Sequence, residues 1–477
     1  MLFNSFIFLI FLAVVLPVFY ILKTKTSRNA FLLLSSYFFY GYWDWRFCSL
    51  LMISTLVDFF VGARLFRTED NSKRKMLLLI SMVTNLGILG FFKYFNFFAE
   101  SFASLLNTFG GNPDYLHLNI ILPVGISFYT FQTMTYTIDI YRKKIEPTGS
   151  LLDFGLYVAF FPQLVAGPIE RASHLLPQLS KKFGATKEQF EKGIALIVMG
   201  LFQKVMIGDT AGRIVDRIFA QQEMYMSVEL ISALLLFSIQ IYADFSGYSH
   251  IARGTAKLLG IELMKNFEQP YLSQNITEFW RRWHISLSSW LKDYLYISLG
   301  GNRKGKIRTY INLMITMLLG GLWHGASWNF VIWGGLHGIY LAVHKRILNG
   351  KKVAEKYIHN SINGFLIFLL KVVLTNLLVL ITWLFFRLKE TSDVSLFFQK
   401  MIHWEPSEFA WRFVTITLSF TLITALFDIL QYRSGRHSVL LLFKNKAVSY
   451  GVMAGMFLTT LAYLFQAEPR PFVYFQF

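Results

Sequence analysis

The chain has 477 residues, of which 54% are hydrophobic and only 16% charged, and its mean hydropathy is +0.45. That is more apolar than soluble domains usually are, and the long uncharged runs recur from end to end, which excludes an ordinary soluble enzyme. The net charge of +18 sits in short loops between those runs, as topology selection requires, so it implies a lipid bilayer and no nucleic acid as partner.

In chain order, apolar runs predict membrane spans near 2–22, 30–43, 47–63, 76–92, 119–138, 192–211, 226–248, 309–324, 328–346, 363–386, 412–430 and 447–465. These make about twelve helices, since ~20 residues cross the hydrocarbon. The alternating ten-residue strands of a barrel do not occur. The first run has no basic lead and no small-residue cleavage site, so it reads as a retained span. The run 151–165 carries Pro162 and leads into "VAGP", which predicts a broken or re-entrant helix. Basic loops at Lys23–Arg28, Arg64–Lys75 and Arg142–Lys144 alternate consistently if the N-terminus lies outside. The strongly basic stretch 250–308 then falls in the cytoplasm. There is no internal repeat, and a single membrane domain over 1–477 is expected. One cysteine, Cys48, rules out a disulfide framework and a Cys-rich metal site, and no metal is expected.

Chemistry concentrates in the third quarter, where six of the eleven tryptophans fall between Trp280 and Trp333. "GGLWHGASW" places His324 at the end of an apolar run, beside Trp323. An ionisable group there is costly to bury and is a functional candidate by default. His284 lies in "TEFWRRWHISLSSWLKDYLYISLGGNRKG", where Trp280, His284 and Ser288 would share one helix face. An interfacial helix with a tryptophan belt explains that segment's arginines and tryptophans better than its histidine. "GGNRKGK" is a glycine-flanked basic turn whose Arg303, Lys304 and Lys306 suit donor phosphates, although the positive-inside rule accounts for them equally. "YADFSGYSH" offers Asp244, Ser246, Ser249 and His250, read as a polar pocket lining more than as a triad. His337 suits packing or second-layer bonding, and His344 the interface. Nucleotide loops and metalloprotease motifs are absent.

Five ordered blocks carry a resemblance: "LPVGISFYTFQTMTYTIDIYR", "FFPQLVAGPIERA", "DFSGYS", "ITEFWRRWHISLSSWLKDYLYISLGGNRKG" and "GGLWHGASWNFVIWGGLHG". Together they resemble the membrane-bound O-acyltransferases, in the AlgI-like bacterial branch. The resemblance implies an all-α polytopic fold, a ring of about 11–12 tilted helices with re-entrant segments around a central tunnel. It places the family's W-H-G histidine on His324 and its W-R-R-W-H histidine on His284 as catalytic residues. Trp280, Trp283, Trp323, Asp244 and Ser246 would belong to the substrate path, with Arg303, Lys304 and Lys306 at its mouth. His250 stands where that branch has an acidic residue.

The resemblance further implies O-acetylation of an extracytoplasmic polysaccharide in the bacterial cytoplasmic membrane. No cofactor would be permanently bound. The donor would be acetyl-CoA or another acyl thioester, and an extracytoplasmic SGNH-type protein would relay the acyl group. The residues agree with this, because a neutral imidazole in an apolar wall can accept a hydroxyl proton where water is scarce. A D-alanyl-transfer protein of teichoic acid modification is the nearest alternative. A histidine-relay transporter is the other, and the lack of paired halves argues against it.

Overall fold

A computed structural model describes residues 1–111, 117–165, 167–348 and 361–475. Among the described residues every regular element is helical. Among the described residues seven helices are long and apolar enough to cross a membrane, from Lys25–Arg67 to Lys446–Gln466. Hydroxyl, amide and carboxylate side chains start several helices. Ser5, Thr24, Asp70, Ser361 and Asn445 each accept a hydrogen bond from a backbone N–H in the first turn, satisfying donors that have no partner within the helix.

The described residues fall into two compact units. The first comprises Met1–Ile197 and Ile251–Met264. In it, Cys48–Arg67 packs against both Asn71–Leu89 and Ile126–Tyr141. Asp58 is buried at that meeting point and accepts from Ser81 Oγ at 2.5 Å and Asn85 Nδ2 at 2.9 Å. The span expected from 119 begins only at Ile126. Gly125 precedes it with φ +75, and a Cβ there would lie 2.5 Å from the Leu164 carbonyl oxygen. A left-handed residue pressed against a neighbouring segment sets the helix start there, however apolar the sequence before it. The run at 151–165 is broken as expected, with Leu151–Ala159 and Phe161–Leu164 meeting at Phe160. The helix Phe95–Thr108, which continues Asn71–Leu89 through a widened turn at Gly90–Tyr94, was not anticipated.

The second unit comprises Val198–His250 and Lys265–Phe477. Its closest helix pair is Gly305–His324 against Trp328–Leu348. Gly321 makes the pairing possible, since a Cβ there would sit 2.1 Å from the Phe330 carbonyl oxygen. Only a residue without a side chain lets the two backbones approach this closely. The 250–308 stretch does not hold the one continuous helix on which Trp280, His284 and Ser288 would share a face. It breaks into Ile276–Arg282, Ile285–Trp290 and a widened turn at Leu291–Tyr296.

Candidate active site

His284 is the break itself. It adopts φ 43 and ψ 54, a left-handed conformation rare outside glycine, between two short helices. Asn266 fixes the break from outside: its carbonyl accepts from Ile285 N at 2.9 Å and its side chain accepts from Ser286 Oγ at 2.7 Å. The expected face of Trp280, His284 and Ser288 therefore does not form. The reversal turns the imidazole inward, where it is fully buried. Burial holds it far below the ordinary imidazole value, at about 3, so it is neutral.

His324 ends the helix Gly305–His324 and is 3% exposed. Its ring centroid lies 6.3 Å from that of His284. Two residues forty apart in sequence, one at a helix end and one at a helix break, thus share one site. The walls are aromatic. Trp323 lies 5.7 Å from His284 and 5.1 Å from His324. Phe245 packs on His284 at 4.6 Å, while Trp333 and Phe386 pack on His324 at 5.0 and 5.3 Å. Tyr474 completes the wall, 5.4 Å from His324 and 6.4 Å from His284.

The other expected residues divide. Trp323 lies at the site. Trp283 is buried beside it in sequence, but its ring packs on Phe267, Phe279 and Trp383. Trp280 donates its indole N–H to His337 Nδ1 at 3.2 Å, and His337 Nε2 meets Thr382 Oγ1 at 3.0 Å. His337 in turn packs under Trp333, so Trp280 supports the site from behind. Asp244 is paired with Lys204, and Ser246, two residues on, is buried. Arg303, Lys304 and Lys306 are exposed on a turn built on three left-handed glycines, Gly300, Gly301 and Gly305.

A separate cleft of about 320 Å³ opens among Lys265, Arg281, Arg282, Tyr432 and His437. Glu268 and Glu278 pair with Lys265 and Arg282 at 2.9 and 2.7 Å, and Arg281 is exposed. Its inner wall carries Gln269 and Gln431, joined at 2.9 Å. The Gln431 Nε2 is buried with no hydrogen-bond acceptor among the described residues. His437 on its rim meets His250 at 3.2 Å, and His250 meets Gln203 at 2.7 Å. The departure at His250 is thus accommodated by two polar partners in place of a carboxylate.

Two buried imidazoles in an aromatic wall, with a charged cleft nearby, can activate a hydroxyl and receive an anionic reactant. The sequence profile of the membrane-bound O-acyltransferase family matches residues 142–355, which hold both histidines. A probable alginate O-acetylase AlgI of Pseudomonas aeruginosa is 41% identical over 406 residues, 84% of this chain and 75% of that protein. The chain belongs to the membrane-bound O-acyltransferase family. It is a multi-pass membrane acyltransferase. A peptidoglycan O-acetyltransferase of Helicobacter pylori is 35% identical over 82% of this chain and 77% of its own length. A teichoic acid D-alanyltransferase of Bacillus subtilis is 30% identical over 47% of this chain and 60% of its own length.

Three residues at or behind this acyltransferase's aromatic wall escaped the sequence reading. Lys204 carried a signal, an ammonium inside "ALIVMGLFQKVMIGD", which should count as an ionisable group within a span. Phe245 sits inside the "DFSGYS" block but is one phenylalanine among 49. Tyr474 carried no signal, because nothing local says that its segment folds back 150 residues to His324.

Proposed function

We propose that this acyltransferase moves an acetyl group from a cytoplasmic thioester, acetyl-CoA or a related donor, across the membrane to an acceptor hydroxyl, for O-acetylation of an extracytoplasmic polysaccharide by way of a partner protein. The observation that carries the reading is the pair of buried imidazoles 6.3 Å apart in an aromatic wall. His324 accepts the proton of the attacking hydroxyl. The oxygen bonds to the acyl carbon, the carbon–sulfur bond breaks, and the proton passes from the imidazole to the leaving thiolate. His284 offers its single N–H to the acyl carbonyl oxygen as charge develops there. The surrounding rings exclude water, which would otherwise hydrolyse the thioester.

The basic loops support an orientation with the N-terminus outside, in the cytoplasmic membrane. The 265–282 stretch then faces the cytoplasm, and the cleft receives the donor. Lys265 and Arg281 attract phosphate, and Gln431 Nε2 donates to a carbonyl of the donor's arm. The acceptor class rests on the relatives, whose names specify alginate and peptidoglycan and which align over most of the chain. The D-alanyl reading has the narrower alignment. A separate secreted protein of the SGNH type would take the acetyl group on to the glycan. Membranes bearing the protein, supplied with labelled acetyl thioester on the cytoplasmic side, should place label on an extracytoplasmic acceptor. Proton-coupled solute uptake without acyl transfer would overturn the reading in favour of a transporter.

A further inference from the structure

The helix Lys187–Ala220 widens over Gln203–Asp209, and Lys204 lies in that widened turn, 1% exposed. Its ammonium is held by Asp209 at 2.6 Å and by Asp244 on the neighbouring helix. The helices meet closely there: a Cβ on Gly247 would lie 2.7 Å from the Gly200 carbonyl oxygen and 2.9 Å from Lys204 N. The same ion cluster grips a third element, the segment that follows Lys446–Gln466. Lys204 Nζ donates to the Pro471 carbonyl at 3.3 Å, and Val473 N donates to Asp244 Oδ2 at 2.5 Å.

What lies between and beyond those two grips reaches the active site. Phe472 packs on Phe245 at 5.1 Å and on Tyr248 at 4.8 Å. Tyr474 packs on Phe245 at 4.8 Å and on His324 at 5.4 Å. The backbones of 471 and 473 are tied to charge, and the rings of 472 and 474 fill the wall. Ions buried among membrane helices are costly, and for mere cohesion an apolar substitute often does as well. Arg470, at the start of that segment, also acts on both carboxylates, and the Val473 N–H adds a charge-assisted bond to Asp244. The cluster and the strap therefore depend on each other.

We infer that Lys204, with Asp244, is a positioning residue for acyl transfer: it anchors the 470–475 strap and so sets Tyr474 against the two histidines. Lys204 acts through the strap and not on the acyl group. The inference rests on the two histidines being the reaction site.

The test uses the full-length protein in membranes, with Cys48→Ser and Phe475→Cys, because Phe475 is half-buried on the strap. The rate of maleimide labelling at 475 reports strap release without needing any acyl transfer. Lys204→Met should raise that rate at least ~tenfold and lower kcat about 10–100-fold, the range that small misplacements cause. Because both act through one element, Lys204→Met combined with Tyr474→Phe should be no slower than the worse single variant. Val473→Pro covers the case in which Lys204→Met fails to fold. It leaves all three ions in place, removes the N–H while keeping an apolar side chain of similar size, and puts proline at the first position of a short 3-10 helix, where it is tolerated. Unchanged labelling in folded Lys204→Met or Val473→Pro overturns the anchor, and faster labelling with unchanged kcat overturns the positioning role. Should His324→Ala keep full activity while Lys204→Met still frees the strap, the proposed reaction falls and the anchor stands.

Discussion

Arg282 and His284 are two residues apart, yet they belong to opposite kinds of surface. Arg282 lines a cleft where charges come in pairs, with Glu278 at 2.7 Å and Tyr432 under its guanidinium at 5.5 Å. His284 is enclosed by the rings of Phe245, Trp323 and Tyr474. The left-handed turn at His284 makes this separation possible within one short stretch. The cleft can hold an anion because its polar groups are already solvated by one another. The aromatic site can hold a neutral base because nothing there rewards a charge. The comparison teaches that recognition and chemistry are divided between neighbouring residues, and it can be broken at either side.

The largest effect belongs to the aromatic side. His324→Ala should lower turnover by about 10²–10⁴-fold, read as transfer from a labelled thioester by protein with an unchanged melting profile. Wild-type turnover would remove the base from the site. His284→Ala should cost less, about 10²–10³-fold in kcat, because one hydrogen-bond donor to the carbonyl is lost while the base remains. An unchanged kcat would make His284 a packing residue. On the cleft side, Lys265→Gln with Arg281→Gln should raise the apparent KM for a phosphate-bearing donor about tenfold and leave kcat nearly intact, since remote contacts act mainly on binding. A fall in kcat with constant KM would merge the two surfaces into one. The smallest effect is expected from Arg303, Lys304 and Lys306 changed together to Gln. They are exposed on their turn and outside the cleft, so KM should move by less than about twofold. A larger rise would return the donor's approach to that turn.

The helices were legible because a membrane span is decided locally, by twenty or so consecutive side chains facing lipid. The two histidines were legible for the complementary reason, as ionisable groups placed where the solvent gives them nothing. What failed to show in the sequence is fixed from a distance. The break at His284 depends on Asn266 holding Ile285 and Ser286, and no periodicity encodes a left-handed residue that is not glycine. Trp280 and Trp283 were grouped with Trp323 because they stand next to His284 in the sequence as Trp323 stands next to His324, but the break sends them to other neighbours. The late start at Ile126 depends on Gly125 meeting Leu164. The place of Tyr474 depends on ions contributed by two helices far earlier in the chain.

The bonds behind the site also have a direction. The Thr382 hydroxyl gives its hydrogen to the Val379 carbonyl at 2.7 Å, so His337 must be the donor in its contact with Thr382, and its Nδ1 must accept from Trp280. Trp280, His337, Thr382 and Val379 thus form a one-way series that begins at an indole, which can only give, and ends at a carbonyl, which can only take. Such a series is a fixed row of aligned dipoles and not a conducting wire, because reversing it would require hydrogen from a backbone oxygen. His337 should therefore show a single Nε2–H tautomer by nitrogen NMR, a ring locked in place to hold up Trp333 and, through it, His324.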